Sequence, residues 1–145
     1  MQIRNGQTIL FVGDSITDCG RRGADRPLGS GYVKLFADML IIRHAKKAIT
    51  VINKGIGGDV VTGLRNRWDD DVIRSKPDWL SIKIGINDLH RTLRQGPEAI
   101  PPKLYREAYE DILERTKKKG AAQVQDLADR FFLSEHGHFT HFIPH

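Results

Sequence analysis

Residues 8–12, TILFV, form a short apolar run rich in β-branched and aromatic side chains and closed by Gly13. Such a run predicts a buried strand. A loop of Gly, Arg and Pro follows from Gly20 to Gly31, and then YVKLFADMLIIRHAKKA places Val33, Phe36, Ala37, Leu40 and Ile41 at helical spacing. Residues 49–52 predict a second buried strand, ended by Asn53 and the glycines of KGIGGD. Val61, Leu64, Trp68 and Val72 mark a second helix. It must stop before Pro77, because the residue ahead of a proline is pushed out of helical conformation. Residues 79–84 predict a third strand, followed at once by Gly, Asn and Asp. Leu104, Ala108, Ile112 and Leu113 mark a third helix, ended by Gly120.

Strand and helix therefore alternate three times, the pattern of a parallel sheet with helices on its faces. In such sheets the ligand crevice lies outside the carboxyl ends of the strands. Three unusual turns, GDS, GIGGD and GIND, each follow the carboxyl end of a strand, so they are expected to converge on one rim.

Length and charge narrow the picture. The 145 residues suffice for one core and not for two. No run of about 18 apolar residues is present to span a membrane, and MQIRNGQTILFVG lacks the apolar core of a secretory signal, so the chain reads as cytoplasmic. The single cysteine, Cys19, excludes an intramolecular disulfide and a cysteine metal cluster, and a packed thiol is its expected state. The net charge of +5 is spread along the chain. The one tight basic run, residues 117–119, lies at a helix C-terminus, where cations are favoured. No nucleic-acid motif accompanies it, so no nucleic-acid partner is expected, and a basic nucleic-acid-binding protein is the weaker reading.

The turns carry the candidate chemistry. Ser15 begins a helix, so its backbone N–H is free at the positive end of the helix dipole. Gly57 and Gly58 let a backbone N–H approach a substrate closely, and Asn87 offers a side-chain amide. A serine nucleophile needs a base to take its proton and N–H donors for the developing oxyanion. Each signal alone also has a plain structural reading. Ser15 would be a helix N-cap, Gly57-Gly58 a turn, and Asn87-Asp88 a helix start or an Asx-turn.

Together, GDSIT, NKGIGGD and GIND in this order resemble the SGNH hydrolases, also called GDSL esterases. ILFVGDSITDCGRR, LGSGYVKLF, VINKGIGGDVV and PDWLSIKIGIND look like the branch of acetyl xylan esterases and related carbohydrate deacetylases. The likeness covers roughly residues 5–119. It implies a flavodoxin-like three-layer α/β/α sandwich and a cofactor-free, metal-free serine esterase acting on small acyl esters, with acetyl groups on carbohydrate as the expected substrate. Carried over, Ser15 becomes the nucleophile. The Ser15 N–H, the Gly58 N–H and the Asn87 side chain become the oxyanion hole, and Asp14 and Asp88 become supporting acids. Residues 20–31 and 91–102 would shape the acyl and alcohol pockets, with Arg91 and Arg94 facing sugar hydroxyls or solvent.

One departure stands out. The family takes its acid and base from a late Asp-x-x-His, and no such motif follows residue 88. Without a base Ser15 would lose several powers of ten in rate, although an oxyanion hole and binding leave residual catalysis. Two explanations compete. The favoured one has the chain truncated, with residues 1–134 the hydrolase-like domain, LADRFFLS its fourth strand, the last βα unit lacking, and 135–145 a divergent His-rich tail. QVQDLADRFFL also shows helical spacing, so strand and helix both stay open there. In the other, the tail is a degenerate late motif, with Glu135 for the acid and His138 for the base. The tail histidines, at 136, 138, 141 and 145, are read as solvated rather than metal-binding. An incomplete sheet with exposed apolar faces would favour a homo-oligomer, in which a neighbour's histidine reaches Ser15. The alternative to an esterase is a catalytically impaired remnant serving as an assembly or interaction module.

Overall fold

The computed structural model describes residues 3–118 and 123–126. Four strands form one parallel sheet, β1 (Thr8–Gly13), β2 (Thr50–Gly55), β3 (Trp79–Lys83) and β4 (Gln123–Asp126), in the order β2-β1-β3-β4. Five helices accompany them: α1 (Ser15–Asp18), α2 (Tyr32–Arg43), α3 (Val61–Asn66), α4 (Ile86–Gln95) and α5 (Pro102–Lys118). This is the expected α/β architecture, and its order turns back beside β1. The crevice of such a sheet opens between β1 and β3, at the strands' carboxyl ends.

Strand β1 shows why the layers form. Successive side chains of a strand point to opposite faces. Leu10 and Val12 enter a core with Val61, Leu64, Trp68, Leu80, Ile82, Ala108 and Ile112. Ile9 and Phe11 enter a second core with Ile3, Val33 and Leu40, so the sheet divides what length alone suggested would be a single core. The second core includes edge-on ring contacts of Phe11 with Tyr32 and Phe36, centroids 5.7 and 5.1 Å apart. In the first, the Trp68 indole N–H donates to Thr116 Oγ1 at 3.1 Å, and that hydroxyl donates to the Ile112 carbonyl at 2.7 Å. This gives the buried polar tip of Trp68 the partner it requires.

Three expectations need correction. The second predicted helix is divided: α3 ends at Asn66, and a π turn, Asp69–Ile73, follows. A π turn shifts the helical phase, and with it Leu64, Trp68 and Val72 all stay buried. Ile41, counted towards the core from its spacing, is 68% exposed. Residues 91–102, expected to shape a substrate pocket, hold the end of α4 at Gln95 and the start of α5 at Pro102. Helix α4 buries Asp88 and leaves Ile86, Leu89 and Leu93 exposed, so its apolar stripe does not mark a core-facing side. Strand β4 lies at 123–126, pairing with β3 from Trp79↔Gln123. LADRFFLS, assigned to this strand from sequence, lies at 127–134, outside the described residues, as does the tail 135–145.

Candidate active site

The first turn of the site hangs on Asp14. Its backbone is extended, φ −94° and ψ −150°, and its Oδ1 accepts the Ile16 N–H at 2.9 Å. Asp14, not Ser15, is therefore the N-cap of α1. Ser15 is the first helical residue and is exposed. Among the described residues neither its hydroxyl nor its N–H has a hydrogen-bond partner. The structural role left open for Ser15 by its sequence is taken by its neighbour.

The second turn is Ile56–Asp59, closed by the Asp59 N–H donating to the Ile56 carbonyl at 3.2 Å. Gly58 has φ +78°, and a Cβ there would meet nothing within 4 Å. The demand for glycine is thus conformational rather than steric. Two bonds stitch this turn to the first. The Ile56 N–H donates to the Gly13 carbonyl at 2.9 Å, and the Gly57 N–H donates to Asp18 Oδ2 at 2.9 Å.

The third turn begins at Gly85, with φ +131°. Asn87 Nδ2 donates to the Asp59 carbonyl at 2.9 Å, which places its amide beside Gly58 and leaves a second N–H on the same nitrogen. Asp88 is buried, and its two oxygens accept the Val61 N–H at 3.0 and 3.2 Å. The N-cap residue of α3, Val60, has no side-chain oxygen, so Asp88 caps that helix from across the site.

Arg67 joins these parts. Its Nε and Nη2 both reach Asp59 Oδ2 at 2.8 Å. Nη1 donates to the Lys54 carbonyl at 2.7 Å and to Asp71 Oδ2 at 2.6 Å, and Nη2 donates to the Gly13 carbonyl at 3.1 Å. One side chain, 15% exposed, therefore ties the ends of β1 and β2 to the glycine turn. Asn53 does similar work on the other side. Its Nδ2 donates to the carbonyls of Thr17 and Leu28 at 2.6 and 2.7 Å, and its Oδ1 accepts the Gly55 N–H at 2.8 Å.

Carboxylates in this setting titrate unusually. Burial pushes Asp14 up, against the Ile16 N–H and the Lys83 charge, and its Oδ2 is buried without a partner. Burial also pushes Asp88 up, against the Val61 bond. Asp18 moves the other way. Burial would raise it, but the Gly57 N–H, the bond from Arg22 and the charges of Arg22 and Arg21 together hold it below the ordinary aspartate value.

Gly58 and Asn87 line one cavity of about 260 Å³, together with His90, Arg91, Arg94 and Gln95. Residues 24–30, of the loop expected to shape the substrate pocket, line a different cavity of about 490 Å³, to which Lys34 also contributes. The structure thus brings together the turns bearing Asp14, Ser15, Gly58, Asn87 and Asp88. Glu135 and His138 lie outside the described residues. Cys19 is a left-handed C-cap at φ +40° with no redox partner, being the only cysteine. Arg67, Asp18 and Asn53 were not foreseen. Their contacts span up to 54 residues, and only the run of acids and arginines around 59–74 hinted at an ion network.

Comparison with known proteins agrees with this fold. The model of the GDSL-like Lipase/Acylhydrolase family matches residues 11–138. An acetylxylan esterase of Geobacillus stearothermophilus is 49% identical over 96 residues, covering 63% of this chain and 44% of the relative. A solved variant of the acetyl xylan esterase Axe2 from the same organism superposes with a TM-score of 0.80 at 37% identity, covering 94% of this chain and 65% of that one. LAE5, an alpha/beta hydrolase from the metagenome of Lake Arreo, Spain, gives 0.79 at 29% identity, covering 91% and 64%. Solved catalytic mutants of Axe2 replace a serine, an aspartate or a histidine by alanine.

Two predictions follow from the network. Arg67→Ala leaves Asp59 and Asp71 without their shared partner and is expected to cost about 3 kcal/mol in urea unfolding. Arg67→Lys is expected to recover only part, since an ammonium lacks the planar fork. Asp18→Asn tests the depressed carboxyl. Because its folded value lies below its unfolded one, its charge stabilises above the ordinary value, and that contribution is lost as pH falls through the folded value. The gap between wild-type and variant unfolding midpoints should therefore be full at pH 7 and close in acid.

Proposed function

The chain belongs to the GDSL-like Lipase/Acylhydrolase family, and from that premise we propose that it is a serine esterase hydrolysing acetyl esters on carbohydrate. The reading rests first on one juxtaposition. The Asn87 amide, held by the Asp59 carbonyl, and Gly58 at positive φ face one cavity at the carboxyl ends of the strands. It rests also on Ser15, whose exposed hydroxyl is not used for capping. A relative of this fold acts on acetylated xylan, as its name states.

In this mechanism Ser15 Oγ attacks the acetyl carbonyl carbon while its proton passes to a base. The carbonyl electrons move onto oxygen, where the N–H groups of Ser15 and Gly58 and the free N–H of Asn87 stabilise them. The tetrahedral intermediate collapses, the C–O bond to the alcohol breaks, and the alcohol leaves with the proton. Water then attacks the acetyl-serine by the same steps and releases acetate. We assign the base to His138, oriented by Glu135. The family match runs through residue 138, and among the described residues no acid and histidine are spaced as Asp-x-x-His after residue 88. Asp14 and Asp88 hold the turns as caps and stay out of the proton path.

Self-association belongs to the same reading. Helix α2 exposes Leu35, Met39, Ile41 and Ile42, four apolar side chains between 52% and 80% accessible, and apolar patches of this kind mark interfaces.

Hydrolysis of 4-nitrophenyl acetate by the purified chain tests the chemistry. Ser15→Ala should abolish it, and Asn87→Ala should lower kcat by roughly 10²–10³ with little change in KM. His138→Ala should match the serine variant. Turnover that survives Ser15→Ala would sink the assignment. Sedimentation velocity should find a dimer or larger species, reduced to monomer by Ile42→Glu with Leu35→Glu; a wild-type monomer at working concentration refutes the oligomer.

A further inference from the structure

The cavity beside the oxyanion donors is lined on one side by a single helix. Asn87, Arg91 and Arg94 stand at i, i+4 and i+7 of α4, with His90 and Gln95 next to them. Positions so spaced share one helix face. At 1.5 Å per residue, Arg91 lies about 6 Å and Arg94 about 10 Å along the axis from Asn87. The cavity, about 260 Å³, falls just under the roughly 300 Å³ at which pockets begin to hold drug-sized ligands. It has room for one small polar unit beyond the acyl group.

Its charge is one-sided. No acidic side chain among the described residues lines it. Among the described residues the side chain of neither Arg91 nor Arg94 makes an ion pair or a hydrogen bond. The carboxyl that feels Arg91 is Asp88, which is buried and committed to the Val61 N–H. Arg67, by contrast, spends its donors on Asp59, Asp71 and two carbonyls. Guanidinium forks match carboxylate and phosphate oxygens bidentately. We infer that Arg91 and Arg94 form an anion subsite, so that the preferred ester carries an oxyanion group, carboxylate or phosphate, on its alcohol part.

Such a group, about one to two helical turns from the acetyl carbonyl, anchors the alcohol while Asn87 and Gly58 hold the carbonyl oxygen. Binding energy from a remote group of this kind positions the reacting bond. Both arginines are exposed, so the attraction is screened and must weaken as salt rises. The inference deepens the esterase reading and rests on it for the placement of the acetyl group.

The test compares three acetylated sugars that differ at one position: methyl glucoside, methyl glucuronide and methyl glucoside 6-phosphate. In the full chain, kcat/KM for an anionic acetate should exceed that of the neutral one by roughly tenfold, the worth of one hydrogen bond between charged groups. The excess should sit in KM and shrink in 0.5 M NaCl. The ratio is internal to each protein, so a loss of folded material cancels from it. In Arg91→Glu with Arg94→Glu the ratio should invert. A preference for glucuronide alone or phosphate alone supports the subsite and names its source. Calorimetry of the three deacetylated sugars on Ser15→Ala gives a readout without turnover. Selective binding of an anionic sugar that vanishes in the double variant upholds the subsite even where 4-nitrophenyl acetate is not hydrolysed, a result that would defeat only the esterase reading. Equal turnover and equal binding of all three sugars overturn the subsite.

Discussion

The five bonds of Arg67 are the constraint on which the site depends. Parallel strands end in loops whose backbone groups have no partners in the sheet, and three such loops must approach one another without closing the crevice between them. The guanidinium solves this by donating to the carbonyl at the end of β1, the carbonyl near the end of β2 and the carboxylate of the glycine turn. Asp59, gripped by its carboxylate, then uses its main-chain carbonyl to hold Asn87. The placement of an amide in the first turn of α4 is thus set by a charge at the C-cap of α3. A neutral side chain of the same length would satisfy fewer of these groups and leave the half-buried Asp59 carboxylate without its ion pair.

Much of the fold was legible in the order of apolar runs. Three of the four strands follow it: β1 and β3 are buried from both sides and read as near-continuous apolar segments, while β2, only partly buried, is marked by the short apolar run that opens it. Strand β4 does not, since QVQD carries one apolar residue in four. Helix α4 was missed for a related reason. Its apolar residues face outward and its buried residue is an aspartate, the reverse of the pattern on which periodicity relies. The site was legible as residues and not as roles. GDS suggested a nucleophile or a cap at Ser15, and the structure gives the cap to Asp14 and leaves Ser15 exposed. What stayed hidden is what depends on three-dimensional closure: Asp88 capping a helix 27 residues earlier, Asn53 holding two loops, and Arg67 crossing the sheet end.

The cost of this arrangement is a concentration of buried acid. Asp14, Asp18 and Asp88 are all nearly inaccessible, and one oxygen on each of the first two has no partner. Natural sequences accept such local strain where chemistry is done and recover stability elsewhere. Here the recovery lies in the apolar layers, where Leu64, Trp68, Val72 and Ile112 are fully enclosed.

Those layers are separated by β1, whose residues alternate between them so that Leu10 and Val12 never share a core with Ile9 and Phe11. Distant side chains without common partners contribute to stability almost independently. The strand is in effect a partition wall. Drift on the outward side of α2 can accumulate, and can reshape that surface for new contacts, while its inward Tyr32 keeps its bond to Thr17 beside the first turn and the compartment built on α3 and α5 holds the glycine turn through Arg67. For a lineage that changes its associations faster than its chemistry, such insulation is a source of evolvability.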